Sequence, residues 1–323
     1  MKKKVWLLID NRKGSAGQIR GIAQQLPKDK YEIIEKEIEY TKLSGLPNLW
    51  RGRSLLGLTS VSKEILKKDL PDIVLSGSRR SAPVARWIKK QTQGRAKIIQ
   101  LLNPGMFGRQ DYDLIFLPEH DRGKIHGKNV KYTTGSPHSI TPEKLQEAKE
   151  EWKGNFDNLP HPLTALIIGG NIKGKGFTIE NAQNLALAVK EFHKQKRGSL
   201  LITDSRRTGT EAEKVIIEIL KDIPQHNYLW GDKNKNPYMG YLAYADNIIV
   251  TGDSVSMCCE ACGTGKPVFI FNGKNWLTRK HLQFVKTLLN QNYATMLDKE
   301  NLDFTPQKTL NPAQEIAQEI QRL

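Results

Sequence analysis

Cysteine is nearly absent. The three in this 323-residue chain, Cys258, Cys259 and Cys262, fall within one short stretch. A structural zinc site needs a second ligand pair, and none is present. Cys259-x-x-Cys262 lies inside a helical pattern, so the three read as small buried thiols. Long apolar runs are missing too: nothing approaches the ~20 residues that span a bilayer. Met1-Lys-Lys-Lys followed by the apolar run 5–9 has the outline of a signal peptide, but Asp10 and Asn11 end that run early, without a small-residue cleavage site. A cytoplasmic protein is expected. The dinucleotide fingerprint is also absent, because Gly14, Gly17 and Gly21 do not make G-x-G-x-x-G. Acid is scarce relative to base, with 34 Asp and Glu against 50 Lys and Arg and a net charge of +16. Such a surplus suits phosphorylated ligands or an anionic surface. The bases are scattered and form no recognisable nucleic-acid module, so no nucleic-acid partner is expected.

What is present is organised around residues 247–271. The apolar run 247–250 reads as a buried parallel strand. Gly252 ends it, Ser254 and Ser256 stand where a helix begins, Gly263 and Gly265 stop that helix, and Pro267 leads into a strand over 268–271. A helix N-terminus aimed at the carboxyl edge of a parallel sheet favours phosphate. Glu260, about two turns in, can accept hydrogen bonds from a sugar. An ordinary crossover with a surface Glu fits the same pattern.

The rest of the chain repeats the strand–loop–helix theme. Strands are expected at 5–9, 31–40, 72–76, 97–101, 114–117, 163–168, 199–203 and 228–230. Helices are expected at 18–26, 83–90, 178–193, 211–220, 236–244, 278–289 and 312–323, and 143–158 reads as a charged helix and linker. Several strand ends carry chemistry. Asp10 precedes a glycine loop. Arg79 and Arg80 stand at a helix N-terminus, where cations are unfavourable unless an anion compensates. Glu119-His120-Asp121 follows the 114–117 strand, so Asp10, His120 and Asp121 are candidate proton acceptors, and a solvated charged loop is the plain alternative for the last two. Gly169-x-x-x-x-Gly174-Lys175 begins like a P-loop, but Gly176 replaces the hydroxyl that would hold Mg²⁺. An NTPase is therefore not expected, and no metal or cofactor is. The loop can still hold a diphosphate through its backbone N–H groups.

Two halves, each opening strand, glycine loop, helix, resemble the GT-B glycosyltransferase architecture. The set Ser254, Glu260 and Gly265-Lys-Pro267 is similar to the nucleotide-sugar site of its second domain. More closely, Asp10-Asn-Arg-Lys-Gly with Gln18, Ser78-Arg-Arg-Ser-Ala-Pro83, Leu117-Pro-Glu-His-Asp-Arg122, Thr203-Asp-Ser-Arg-Arg207, Asn236-Pro-Tyr238 and Asp253-Ser-Val-Ser-Met257 resemble the mitochondrial fission proteins of the elongated-mitochondria type and their bacterial relatives. The resemblance implies an α/β fold of two Rossmann-like domains facing a cleft. They would span 1–150 on the acceptor side and 151–310 on the nucleotide side, with a terminal helix over 311–323 crossing back to the first. It implies that Gly169 and Gly170 face a donor diphosphate, that Ser254 and Ser256 hold phosphate oxygens and that Glu260 meets the ribose. Ser205, Arg206 and Arg207 are added to this group for neutralising the leaving diphosphate. An acceptor would lie near Gly14, Gln18, Arg79 and Arg80.

The expectation is a metal-independent transfer of sugar from a nucleotide-sugar donor to an acceptor of open identity. Asp10, His120 and Asp121 remain unranked as the base. A non-catalytic adaptor keeping the fold, and a nucleotide-sugar epimerase, are the alternatives. Residues 43–58 interleave Leu46, Leu49, Trp50, Leu55, Leu56 and Leu58 with Arg51 and Arg53. They fit equally a cover for the domain's own core and a peripheral contact with an anionic membrane, which would be the inner face of the cytoplasmic membrane and would suit a lipid-linked acceptor.

Overall fold

Strands here are short apolar runs, as a parallel sheet buried on both faces requires. The computed structural model describes residues 2–10, 13–298 and 302–323. The chain forms two units: Met1–Ser139 with Asn311–Leu323, and Ile140–Leu310. The first dividing point puts the helix that follows Thr141 in the second unit.

Unit 1 runs β1 (Lys3–Ile9), α1 (Lys13–Gln24), β2 (Tyr31–Glu37), α2 (Asn48–Arg51), α3 (Ser60–Ile65), β3 (Ile73–Ser76), α4 (Ala82–Gln91), β4 (Lys97–Leu101), β5 (Leu114–Pro118) and β6 (Val130–Thr133). Its sheet is parallel throughout, in the order β2-β1-β3-β4-β5-β6, with Val5 level with Ile33 on one side and Ile73 on the other. Alternate residues serve opposite faces: Val5, Leu7 and Leu75 pack with Ile19 and Ile22 of α1, while Trp6, Leu8 and Val74 pack with Val84 and Ile88 of α4. The terminal helix α11 (Pro312–Gln321) belongs to this unit. Ala313, Ile316, Ala317 and Ile320, spaced to share one helix face, are at most 1% exposed and join the α1 side of the core. Full burial of an Ile contributes about 1.5–3 kcal/mol, so the helix is part of the unit and not an appendage.

Unit 2 runs α5 (Pro142–Glu151), β7 (Leu163–Ile167), α6 (Ile179–Lys196), β8 (Ser199–Thr203), α7 (Thr210–Leu220), β9 (Gln225–Tyr228), α8 (Tyr238–Tyr244), β10 (Asn247–Thr251), α9 (Val255–Cys262), β11 (Val268–Phe271), α10 (Arg279–Asn290) and β12 (Thr295–Met296). Its sheet is again parallel, in the order β12-β11-β10-β7-β8-β9. Thr178, Ser254 and Thr278 cap α6, α9 and α10 by accepting the N–H three residues on. All three cysteines are buried in α9 without a disulfide, and burial raises the Cys258 and Cys262 thiols well above their ordinary range.

Several expected boundaries move. The second strand stops at Glu37. The short strand expected at 228–230 is β9, three residues earlier. The edge strands β6 and β12 had no sequence signal: Val130–Thr133 reads VKYT, and Thr295–Met296 is two residues long. Both are stabilised by pairing to a neighbour, which outweighs weak local propensity.

Candidate functional site

In an open parallel sheet, ligands sit beyond the carboxyl ends of the strands, where the order of strands reverses. Unit 2 reverses between β7 and β10. There the loops after β7, β8 and β10 meet. Gly169 N–H donates to Thr251 Oγ1 at 2.7 Å and Gly170 N–H to Asp253 Oδ2 at 2.9 Å. Thr251 Oγ1 donates in turn to Asp253 Oδ1 at 2.7 Å. Ser205 Oγ and Thr208 Oγ1 both donate to the carbonyl of Gly169, and Trp276 Nε1 donates to that of Gly170 at 3.1 Å. Arg207 reaches Asp253 Oδ2 at 3.0 Å and the Asn171 carbonyl at 3.0 Å. A Cβ at Gly169 would run into the Asp253 carboxylate, and one at Gly170 into the backbone of Arg207. Glycine is therefore required by close approach at both positions.

Two sequence expectations change in consequence. The amides of Gly169 and Gly170 donate to Thr251 and Asp253, so they do not present themselves to a diphosphate. Ser205 and Arg207 likewise brace the loops against one another. The P-loop-like stretch folds as a tight turn: Ile172 and Lys175 bridge, Gly174 has φ +80°, and Lys175 Nζ donates to the Leu277 carbonyl. Within Gly265-Lys-Pro267, Lys266 Nζ donates to the carbonyls of Leu242 and Ala243 at the end of α8, and burial lowers its pKa to about 8. It closes a helix, an accommodation that a spacing motif cannot reveal.

The N-terminus of α9 opens from this junction. Ser254 caps it and Ser256 is exposed in its first turn. Arg206, on the β8 turn, is also exposed. Glu260 lies six residues beyond Ser254, about 9 Å along the helix. Its Oε2 accepts the Tyr238 hydroxyl at 2.5 Å. Burial raises its pKa, and the Tyr238 hydrogen bond opposes that shift. Asp253 shows the same direction, from burial first, opposed by the Gly170 N–H, Thr251 and Arg207. Asp204, at the end of β8, is pushed up to about 6, by burial before the nearby Glu213, against a hydrogen bond from the Trp230 N–H at 2.6 Å.

Sequence reading quoted Asp204, Tyr238 and Asp253 within motifs but gave no role to them, nor to Thr251 or Trp276. For Asp253 a signal existed, an acid directly before a helix cap. For Trp276, 106 residues from its partner, there was none. His281 is a further addition: its imidazole bonds Thr278 Oγ1 at 2.7 Å, and its pKa is lowered by burial first, then balanced between Asp253 and Arg207.

Unit 1 reverses between β1 and β3. Asp10 ends β1, accepting Ser15 Oγ at 2.9 Å. Across from it, Ser76, Ser81 and Gln100 form a buried hydrogen-bonded set beneath Ser78. The Tyr40 hydroxyl titrates higher than usual, through burial and then the Asp10 carboxylate. Arg80 lies over the Tyr40 ring, 5.7 Å from its centroid. Asp10 and Tyr40 line an open groove of about 980 Å³ with Glu37, Glu39 and Thr59. His120 and Asp121 sit past β5, three strands away, which is about 14 Å at ~4.8 Å per strand. Asp121 is ion-paired with Lys124. Gln18 borders a separate small cavity with Pro118, Ser136 and Ile316. Asn11, Arg12 and the surroundings of Gly14 lie outside the described residues. The candidates of the first unit therefore divide: Asp10 and Arg80 share the Tyr40 neighbourhood, and His120 and Asp121 do not.

The family profile described as Mitochondrial fission ELM1 matches residues 13–323. The chain belongs to that family. It is 29% identical to protein RP120 of Rickettsia prowazekii, the match covering 98% of this chain and 97% of that one. It is 30% identical to the mitochondrial fission protein ELM1 of Arabidopsis thaliana over 72% of this chain, though that match spans only 58% of the plant protein. Among solved structures, MurG of Acinetobacter baumannii matches with a TM-score of 0.55 at 13% identity over 99% of this chain and 100% of that one. The UDP-GlcNAc 2-epimerase of Methanocaldococcus jannaschii gives 0.58 at 14% over 99% and 100%. That of Neisseria meningitidis, bound to UDP-GlcNAc, gives 0.53 at 15% over 99% of each chain. These likenesses establish the GT-B-like fold of two α/β units.

Proposed function

We propose that unit 2 binds a nucleotide-sugar and that the protein transfers the sugar to an acceptor hydroxyl. The observation that carries this is the braced junction at the β7/β10 reversal, with the α9 N-terminus opening from it and a half-buried carboxylate, Glu260, two turns on. Ser254, Ser256 and Arg206 would meet the diphosphate, and Glu260 the ribose. Gly169, Gly170, Ser205 and Arg207 would hold the loops in place for them. The solved relatives of this fold, one with UDP-GlcNAc bound, make a uridine nucleotide the first to try.

In the reaction the acceptor oxygen bonds the anomeric carbon as the bond from that carbon to the diphosphate oxygen breaks. The acceptor proton passes to a base, and the electron pair leaves with the nucleoside diphosphate. A helix N-terminus and Arg206 stabilise that developing charge without moving. Asp10 is preferred as the base because it stands at the reversal point of unit 1, whereas His120 and Asp121 stand away from it.

One observation favours a second reading. The Gly169 and Gly170 amides are already taken by side chains of the chain itself, as would suit an adaptor that keeps the fold and no longer turns over. Thermal shift and calorimetry with UDP and a panel of other nucleoside diphosphates separate the two. Stabilisation by one nucleotide, together with slow release of that nucleotide from its sugar conjugate, supports transfer. A flat panel at millimolar ligand would sink it in favour of the adaptor.

A further inference from the structure

Unit 1 carries a surface that the transfer reading does not use. Leu49, Trp50, Met106 and Phe107 are 52, 71, 76 and 46% exposed. They belong to the short helix α2 and to the 102–108 loop, some fifty residues apart and stitched together. Asn48 Nδ2 donates to the Pro104 carbonyl at 2.8 Å and to the Arg79 carbonyl at 2.9 Å. Arg86 Nη1 donates to the Gly52 carbonyl at 3.1 Å, and a Cβ at Gly108 would strike the same guanidinium. Asp111 receives Arg86 Nε at 2.6 Å and Arg53 Nε at 3.0 Å. Single exposed apolar residues are ordinary; neighbouring ones presented on braced loops mark a contact surface.

The sequence-based version of this surface was partly misplaced. Leu55 and Leu58 are buried in the core of the unit. Arg51, 1% exposed, donates to the carbonyls of Leu56 and Arg80 and is a structural centre, not a lipid-facing cation. The second loop, 102–108, was not anticipated.

The charge around the patch is of one sign. Apart from the buried Arg51, segments 42–53, 79–90 and 102–111 contain eight Lys and Arg against one acid, Asp111, which is itself ion-paired. Arg53, Arg86, Lys89 and Lys90 line a cavity of about 320 Å³. A second copy docking symmetrically would set these cations against one another. We propose that this face docks on an anionic lipid surface, with Leu49, Trp50, Met106 and Phe107 entering the headgroup layer and the cations meeting lipid phosphates. Trp suits that depth, and shallow apolar insertion beside basic residues gives reversible, salt-sensitive attachment. The proposal holds whether or not unit 2 takes a nucleotide.

Co-sedimentation with vesicles tests it. The protein should pellet with phosphatidylcholine vesicles containing a third phosphatidylglycerol at low salt, and stay in the supernatant with phosphatidylcholine alone or at high salt. The double variant Trp50→Ser, Phe107→Ser, with unchanged circular dichroism and melting, should bind about a hundredfold more weakly. The charge variant Lys42→Glu, Lys90→Glu should lose affinity and most of the salt dependence. Absence of wild-type binding, or equal binding by the folded apolar variant, overturns the proposal. A dimer in sedimentation velocity that the apolar variant abolishes would assign the face to a second copy and overturn it equally.

Discussion

The two units solve one architectural problem in opposite ways. Both are six-stranded parallel sheets, yet unit 1 reverses after a single strand pair, β2-β1-β3, and unit 2 after three strands, β9-β8-β7-β10. At the unit 2 reversal the loops are cross-braced by Asp253, Arg207, Ser205, Thr208 and Trp276, each bridging one strand end to another. At the unit 1 reversal Asp10 bonds the nearby Ser15 and borders an open groove. A braced edge fits a ligand of fixed shape, and an open one tolerates variety. Under the transfer reading proposed above, the shared part of the reaction, the nucleotide, would belong to unit 2 and the variable part to unit 1.

The sharpest way to break this comparison is to cut both edges. Asp253→Ala leaves the Gly170 N–H and Arg207 without their acceptor in a buried place. It should cost about 2–4 kcal/mol of stability, read by denaturant unfolding, and remove nucleotide binding with it. Asp10→Ala should cost about 1 kcal/mol, leave nucleotide binding intact, and reduce transfer by roughly 10²–10⁴-fold. Equal destabilisation by both would mean that the two edges are not built differently.

Next in size is Glu260. Its carboxylate is tied to the half-buried Tyr238, so truncation to Ala would confound binding with packing. Glu260→Gln keeps an acceptor for the Tyr238 hydroxyl while removing the charge. Nucleotide affinity should fall about tenfold by calorimetry, with little change in melting. An unchanged affinity would remove Glu260 from the ribose role.

The paired arginines divide by the same logic. Arg206→Ala should weaken diphosphate binding several-fold more than nucleoside binding, at constant stability. Arg207→Ala should lower stability first, because it releases Asp253 and Asn171. Identical profiles for the two would show that neither is a brace.

A further difference shows in pH. The folded pKa of Asp204, about 6, lies above its ordinary 3.8. Between roughly pH 4 and 6 the unfolded chain gives up this proton while the folded chain keeps it. The stabilising contribution is therefore complete below pH 4 and is lost as pH rises through 6. Asp204→Asn should flatten that part of the stability–pH curve of unit 2, and an unaltered slope would place the loss elsewhere.

Much of this was legible in the sequence, for identifiable reasons. The strand–loop–helix alternation followed from apolar runs, from the glycines that end them and from a helix start at Ser254, and a terminal helix was expected over 312–323. The loops bearing chemistry were visible because glycine and polar residues cluster at strand ends. What those residues do there was not. Whether Gly170 offers its N–H outward depends on Asp253, 83 residues away, and whether Arg51 faces lipid or the interior depends on the Arg80 carbonyl. Sequence spacing shows which residues end strands; only the order of strands shows which ends are neighbours. That is why Asp10 and His120 looked equivalent until the sheet separated them.

The membership of α11 in unit 1 has a temporal meaning. The core of unit 1 stays open along one face until Ala313, Ile316, Ala317 and Ile320 arrive, and these are synthesised after every residue of unit 2. At ~5–20 residues per second the ribosome takes roughly ten to thirty seconds over that interval. Through it the nascent first unit exposes Ile19, Ile22 and Leu26 while unit 2 is free to complete itself. The part of the chain made first is thus the part finished last.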